Sequence, residues 1–129
     1  ICADVFYDEV ISHLVRKGAD ILVQPSANPG KWHRDEQESW LKSAWTAAQN
    51  HPELRCVVNP MMNGLLFDLK FEGQSSIATL ATRAPEEKSY TRTEPRGGFM
   101  ALANQPDTEE ILCVTVSANL ESPASTAKR

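Results

Sequence analysis

The chain has 129 residues, 41% apolar and 23% charged, enough for one modest hydrophobic core. Its 13 Lys+Arg against 17 Asp+Glu leave a formal charge of −4, which argues against a dedicated nucleic-acid binder with its basic surplus. No apolar run is long enough for a transmembrane helix, and no secretory signal is read at the start.

Apolar residues at Tyr7, Val10, Ile11, Leu14 and Val15 keep helical spacing and predict a helix over Phe6 to Lys17. Asp8 and Glu9 suit its positive end. Arg16 and Lys17 followed by Gly18 form a stop signal. Asp20 to Gln24 reads as a strand, and the unbroken Ile21-Leu22-Val23 predicts that both its faces are covered. Pro25 ends it, and Ser26 to Lys31 reads as a loop. A second helix is expected over Glu36 to Asn50, with Asp35 and Glu38 as a capping box and His51-Pro52 as its end. Trp40, Leu41, Ala44, Trp45 and Ala48 share its apolar face.

Further strands are expected at Arg55 to Asn59, Gln74 to Ala81 and Phe99 to Ala103, with a loop or hairpin over Pro60 to Lys70. Ile111 to Val116 reads as the clearest late strand. Arg83 to Gly98 is expected as a surface excursion, and residues 118–129 as a flexible tail. The helix–strand alternation at the front gives an α/β fold class, with later strands pairing antiparallel.

The three cysteines are an odd number without close pairing, which points to a reducing, cytoplasmic setting rather than a disulfide framework. Cys56 and Cys113 lie in apolar runs and are expected to pack in the core. Cys2 stands just ahead of the first helix, a placement that suits a nucleophile; a small buried hydrophobe is the alternative. His13, His33 and His51 are isolated, and no Cys or His pair has zinc spacing.

An ordered set of segments carries a resemblance. It begins at Ile1-Cys2-Ala3-Asp4 with Phe6 and Glu9, and continues with Gly18-Ala19-Asp20-Ile21-Leu22-Val23-Gln24-Pro25-Ser26-Ala27. It runs on through a Trp-containing helix ending Ala48-Gln49-Asn50, then Val57-Val58-Asn59, Gly64 and Phe71-Glu72-Gly73-Gln74-Ser75-Ser76-Ile77. Gly98 to Ala103 and Glu110 to Val116 complete it. Together these resemble the nitrilase superfamily of carbon–nitrogen hydrolases. The resemblance implies about half of a four-layer α-β-β-α sandwich, with residues 1–117 as its C-terminal part.

That family hydrolyses amides, nitriles and related carbon–nitrogen bonds with a cysteine nucleophile, a glutamate base and a lysine. The resemblance makes Cys2 the nucleophile and the Ala3 backbone N–H an oxyanion donor. Asn28 is implied as a pocket-lining residue. The family's glutamate and lysine precede the cysteine, so Glu9 and Lys31 do not take those roles. Ala3, Asp8 and Gln49 depart from the usual pattern, the last standing where the family's helix has glutamate. Implied partners are a small-molecule amide or nitrile substrate, an N-terminal half and a second copy in a homo-oligomer, with no cofactor or metal, no nucleic acid and no membrane. The competing expectation is a non-catalytic interaction module or gene remnant derived from such a hydrolase. A third is a different cysteine hydrolase with parallel-sheet topology, which the lack of helices between the late strands disfavours.

Overall fold

The computed structural model describes residues 2–84 and 97–117. Ile1, the tail expected over 118–129 and most of the expected surface excursion lie outside the described residues. A 3-10 turn, Cys2–Phe6, leads into helix α1, Asp8–Arg16. Strand β1 (Ile21–Val23) follows, then helix α2 (Arg34–Asn50) and strand β2 (Cys56–Asn59). Strands β3 (Gly64–Leu66) and β4 (Leu69–Phe71) form a hairpin, and β5 (Ser76–Ala78) and β6 (Phe99–Leu102) complete the order. The architecture is mixed α and β: a four-stranded sheet ordered β1-β2-β5-β6 and a separate two-stranded sheet. β1 and β2 pair in parallel, as a strand–helix–strand crossover requires, and the later pairings are antiparallel.

The end of α1 follows from its sequence. Gly18 adopts φ +91, its N–H donates to the Val15 carbonyl, and the Ala19 N–H donates to the Leu14 carbonyl. These paired bonds satisfy carbonyls that the last turn would otherwise leave open. In α2, Leu41, Ala44 and Ala48 are fully buried against Leu54, Val57, Ala78 and Phe99. A leucine buried this way contributes about 2 kcal/mol or more. Trp45 packs on the same cluster, while the Trp40 ring lies 5.3 Å from the Phe6 ring.

Several expectations are corrected. The capping box does not form: the residue preceding α2 is His33, no side chain caps it, and Asp35 lies inside the first turn. Glu38 instead pairs with Arg34 one turn back, at 2.9 Å. β1 is not covered on both faces. It is an edge strand whose Leu22 packs under α2, while Ile21 and Val23 stay exposed on the other side.

Ile111 to Val116 pairs with no strand. Leu112, Val114 and Val116 instead lie against Cys56, Ile77 and Ala101 on the sheet face opposite α2. The alternation that suggested a strand is real, but it serves a covering segment without a ladder. Cys113 falls between those contacts and is exposed, against the expectation of core packing, whereas Cys56 is buried as expected.

Of the loop or hairpin expected over Pro60 to Lys70, the structure has the hairpin β3–β4, and its tip is unusual. Leu66 pairs with Leu69 across a two-residue turn, and Phe67 holds φ +55 there while 93% exposed. Positive φ at the first central position alone is the pattern that glycine normally fills. Phe67→Gly is therefore expected to stabilise the fold by about 0.5–1 kcal/mol, relief of left-handed strain outweighing the added chain entropy. Chemical denaturation checks this; a loss of stability would mean that the exposed ring makes contacts worth more than the strain.

Candidate functional site

Cys2 is anchored to the sheet. Its N–H donates to the Pro25 carbonyl at 3.1 Å, which sets the residue at the carboxyl end of β1. Ligands of open α/β sheets bind at that end of the strands. Cys2 is half-buried and holds φ +54, a conformation uncommon for a side chain other than glycine. α1 begins only at Asp8, so a 3-10 turn intervenes between the thiol and the helix that the sequence placed next to it. Ala3 is exposed as the second residue of that turn, where N–H groups have no partner within the turn.

Asn28 is half-buried in the stretch after Pro25. That stretch is not a free loop. Ser26 bridges Met61 and Pro29 bridges Phe71, with the Gly30 N–H on the Lys70 carbonyl at 2.8 Å. Cys2 and Asn28 thus hang from one short length of backbone, the first through Pro25 and the second a few residues on.

A cavity of about 220 Å³ opens at the same end of the sheet, lined by Met61, Asn63, Gly73, Ser75, Thr108 and Glu109 among others. A second, about 210 Å³, lies between α1 and α2 against Val5, Phe6, Ile11 and Ala47. Cys2, Ala3 and Asn28 line neither. The first cavity and Cys2 stand on either side of the Ser26–Met61 bridge.

Polar groups beside this end are tightly fixed. Gln74 Oε1 accepts from Trp32 Nε1 at 2.9 Å and Gln37 Nε2 at 3.0 Å, and its Nε2 donates to the Ala103 carbonyl. The Glu72 carboxylate accepts from Lys70 Nζ at 2.6 Å and from the Trp32 N–H at 2.8 Å. Lys70 first, and then that N–H, hold the Glu72 carboxyl below its ordinary range. Sequence reasoning missed both glutamine and glutamate, because the residue that joins them, Trp32, is about forty residues away in the chain.

The remaining cysteines and histidines find other roles. Burial, and secondarily the charge of Asp20, push the Cys56 thiol up, away from reactivity. His51 is buried, with Nε2 2.9 Å from Asp8 Oδ1, so it ties the end of α2 to the start of α1. This His51 bond, followed by one from Asn50, lowers the Asp8 pKa from its ordinary 3.8. A lowered folded-state value stabilises the fold above pH 3.8 and loses that effect as pH falls through the folded value. Asp8 is largely exposed, so the contribution is at most about 1 kcal/mol. The stability gap between wild type and Asp8→Asn should close as pH drops below 3.8; a gap that persists in acid would remove the ionic account.

Gln49 is held at both ends of its amide. Its Nε2 donates to the Thr79 carbonyl and its Oε1 accepts from the Ala81 N–H, both at 2.9 Å. A carboxylate cannot donate to Thr79. Gln49→Glu is therefore expected to cost about 1–3 kcal/mol at neutral pH, measurable as a lower denaturation midpoint; an unchanged midpoint would show that the clamp is dispensable.

Among the described residues no group of acidic, histidine or cysteine side chains is gathered as a metal site, and no helix is long and apolar enough to cross a membrane. Neither a scan against protein-family models nor a search of curated proteins finds a match.

Proposed function

We propose that this chain is the C-terminal part of a thiol-dependent hydrolase acting on non-peptide carbon–nitrogen bonds, built as about half of an α-β-β-α sandwich. The observation that carries the reading is the seat of Cys2: half-buried, in left-handed backbone, and hydrogen-bonded to Pro25 at the carboxyl end of β1. A strained backbone at a strand end is a usual setting for a nucleophile. The backbone N–H of Ala3, an exposed residue, follows as the oxyanion donor, and Asn28 as a pocket residue. The exposed Ile21 and Val23 are the side chains a second sheet would cover.

The Cys2 sulfur bonds to the amide or nitrile carbon. For an amide, the glutamate base takes the thiol proton and passes it to the nitrogen, and the carbon–nitrogen bond breaks to release ammonia or an amine, leaving a thioester. Water then cleaves the thioester, releasing the acid and restoring the thiol. On this reading a glutamate base and a lysine, neither of which is assigned among the described residues, complete the site.

A specific observation favours a second reading, a non-catalytic interaction module. Leu65, Leu66, Phe67 and Leu69 are exposed together on the hairpin, and such patches mark contact surfaces. One experiment separates the two. Full-length protein is incubated with an amide and a nitrile substrate, quenched and mapped by mass spectrometry. An acyl or imidate adduct on Cys2, absent from the exposed Cys113, supports the hydrolase. Adducts on neither thiol, with association lost on polar substitution of the hairpin, support the module.

A further inference from the structure

Three buried polar residues line up beneath α2. In β1, Leu22 packs on the helix side, so strand alternation returns Gln24 to that side. In β2, Val57 faces the helix while Cys56 and Val58 face away, which places Asn59 on the helix side. In β5, Ala78 faces the helix and Ile77 faces away, which places Ser76 there too. Val23 is level with Val58, the Gln24 N–H donates to the Val58 carbonyl, and Asn59 is level with Ser76. Gln24, Asn59 and Ser76 are thus lateral neighbours on successive chains, spaced by about 4.8 Å as strands are. Their exposures are 1%, 0% and 1%.

The hydrogen bonds above this row fix which atoms are left over. The Trp40 carbonyl can only accept. It takes the Ser43 hydroxyl hydrogen at 2.8 Å and Asn59 Nδ2 at 3.4 Å. Having given its hydrogen away, Ser43 Oγ can only accept, and it takes Gln24 Nε2 at 3.2 Å. Flipping either amide would set oxygen against oxygen. Gln24 Oε1 and Asn59 Oδ1 are therefore held as acceptors, and neither has a partner, nor has Ser76 Oγ. On the far side of Ser76 stands Leu102, and the next row of the same face is Leu22, Val57 and Ala78. Among the described residues no group pairs with these three oxygens.

We propose that the row holds one buried water molecule. Water donates two hydrogens, one each to Gln24 Oε1 and Asn59 Oδ1, and accepts the Ser76 hydroxyl hydrogen. The donor and acceptor count closes. A cation could not accept from Ser76, and the row carries no anion to offset its desolvation. Glu36, a turn before Trp40 on α2, also has a buried oxygen, Oε2, without a partner, but no contact joins it to the row among the described residues. The water joins β1, β2 and β5 beneath α2, and its Gln24 ligand precedes in sequence the Pro25 whose carbonyl holds Cys2. It does not depend on the hydrolase reading.

A crystal structure of the wild-type chain at a resolution showing ordered waters is expected to give one peak within hydrogen-bond distance of all three oxygens. Oxygen-17 relaxation dispersion in solution is expected to lose one long-lived water in Ser76→Val, whose added methyl takes its space, and to keep it in Ser76→Ala. An empty site, direct pairing among the three side chains, or an anomalous peak there after a rubidium soak would each overturn the proposal. An unchanged water count in folded Ser76→Val would do the same, and the wild-type crystal decides the matter if neither variant folds.

Discussion

Replacing Cys2 with alanine is expected to cut amide or nitrile turnover by the full-length protein about 10³-fold or more, on the order of 4 kcal/mol of transition-state stabilisation. The size follows from the reaction type. A covalent route splits one difficult step into two easier ones, and without the sulfur no atom in the described part of the site can form the intermediate. The other cysteines give internal controls. Cys113→Ala should leave turnover unchanged, because that side chain is exposed between the contacts of Leu112 and Val114. Cys56→Ala should alter stability rather than chemistry, because the thiol is buried against the sheet and its pKa is raised. Cys2→Ser tests whether the requirement is for sulfur: the hydroxyl is a weaker nucleophile, so turnover should fall nearly as far. Substrate consumption by purified protein with active wild type alongside decides it. Full turnover by Cys2→Ala would remove the nucleophile and the hydrolase proposal with it.

The helices and the order of strands were legible because they follow local rules. A stripe such as Leu41, Ala44 and Ala48 can bury itself in only one way, and a glycine after two cations stops a helix wherever it occurs. The misreadings share a cause: a local pattern admits two tertiary uses. Leu112, Val114 and Val116 alternate as a strand does, yet nothing within the segment says whether a ladder partner exists. Asp35 and Glu38 have the spacing of a capping box, but α2 begins at Arg34, two residues before the expected Glu36, and Asp35 falls inside its first turn. Ile21-Leu22-Val23 is apolar throughout, but whether both faces are covered depends on what lies beyond β1.

For the candidate site, sequence could nominate Cys2 but could not reveal the bond to Pro25, more than twenty residues on. The polar row was illegible for a related reason. Gln24, Asn59 and Ser76 each look like an unremarkable strand end. Only the register puts them side by side under a helix whose own hydrogens are already committed.

Gly98→Ala is expected to cost about 2–5 kcal/mol from backbone strain together with overpacking. Gly98 holds φ +110, and a Cβ there would stand 2.7 Å from the Thr79 carbonyl oxygen, 3.2 Å from Gln49 Nε2 and 3.3 Å from Trp45 Nε1. None of these neighbours can withdraw freely. The Thr79 N–H donates to the Gly98 carbonyl at 2.7 Å, and the Thr79 carbonyl accepts from Gln49. Trp45 Nε1 donates to the Gly97 carbonyl at 2.8 Å, and the Gly98 N–H donates to the Ala84 carbonyl. One added carbon therefore presses on the end of β5, the entry to β6 and the last turns of α2 at once. Against a typical total stability of about 5–15 kcal/mol, that loss approaches unfolding at physiological temperature. Gly18→Ala separates the two causes: Gly18 has φ +91 but open space around its Cβ position, so it pays strain without a clash. Its expected loss is about 1–2 kcal/mol. Denaturant titrations of both variants measure the difference, and equal losses would show that the contacts around Gly98 yield without cost.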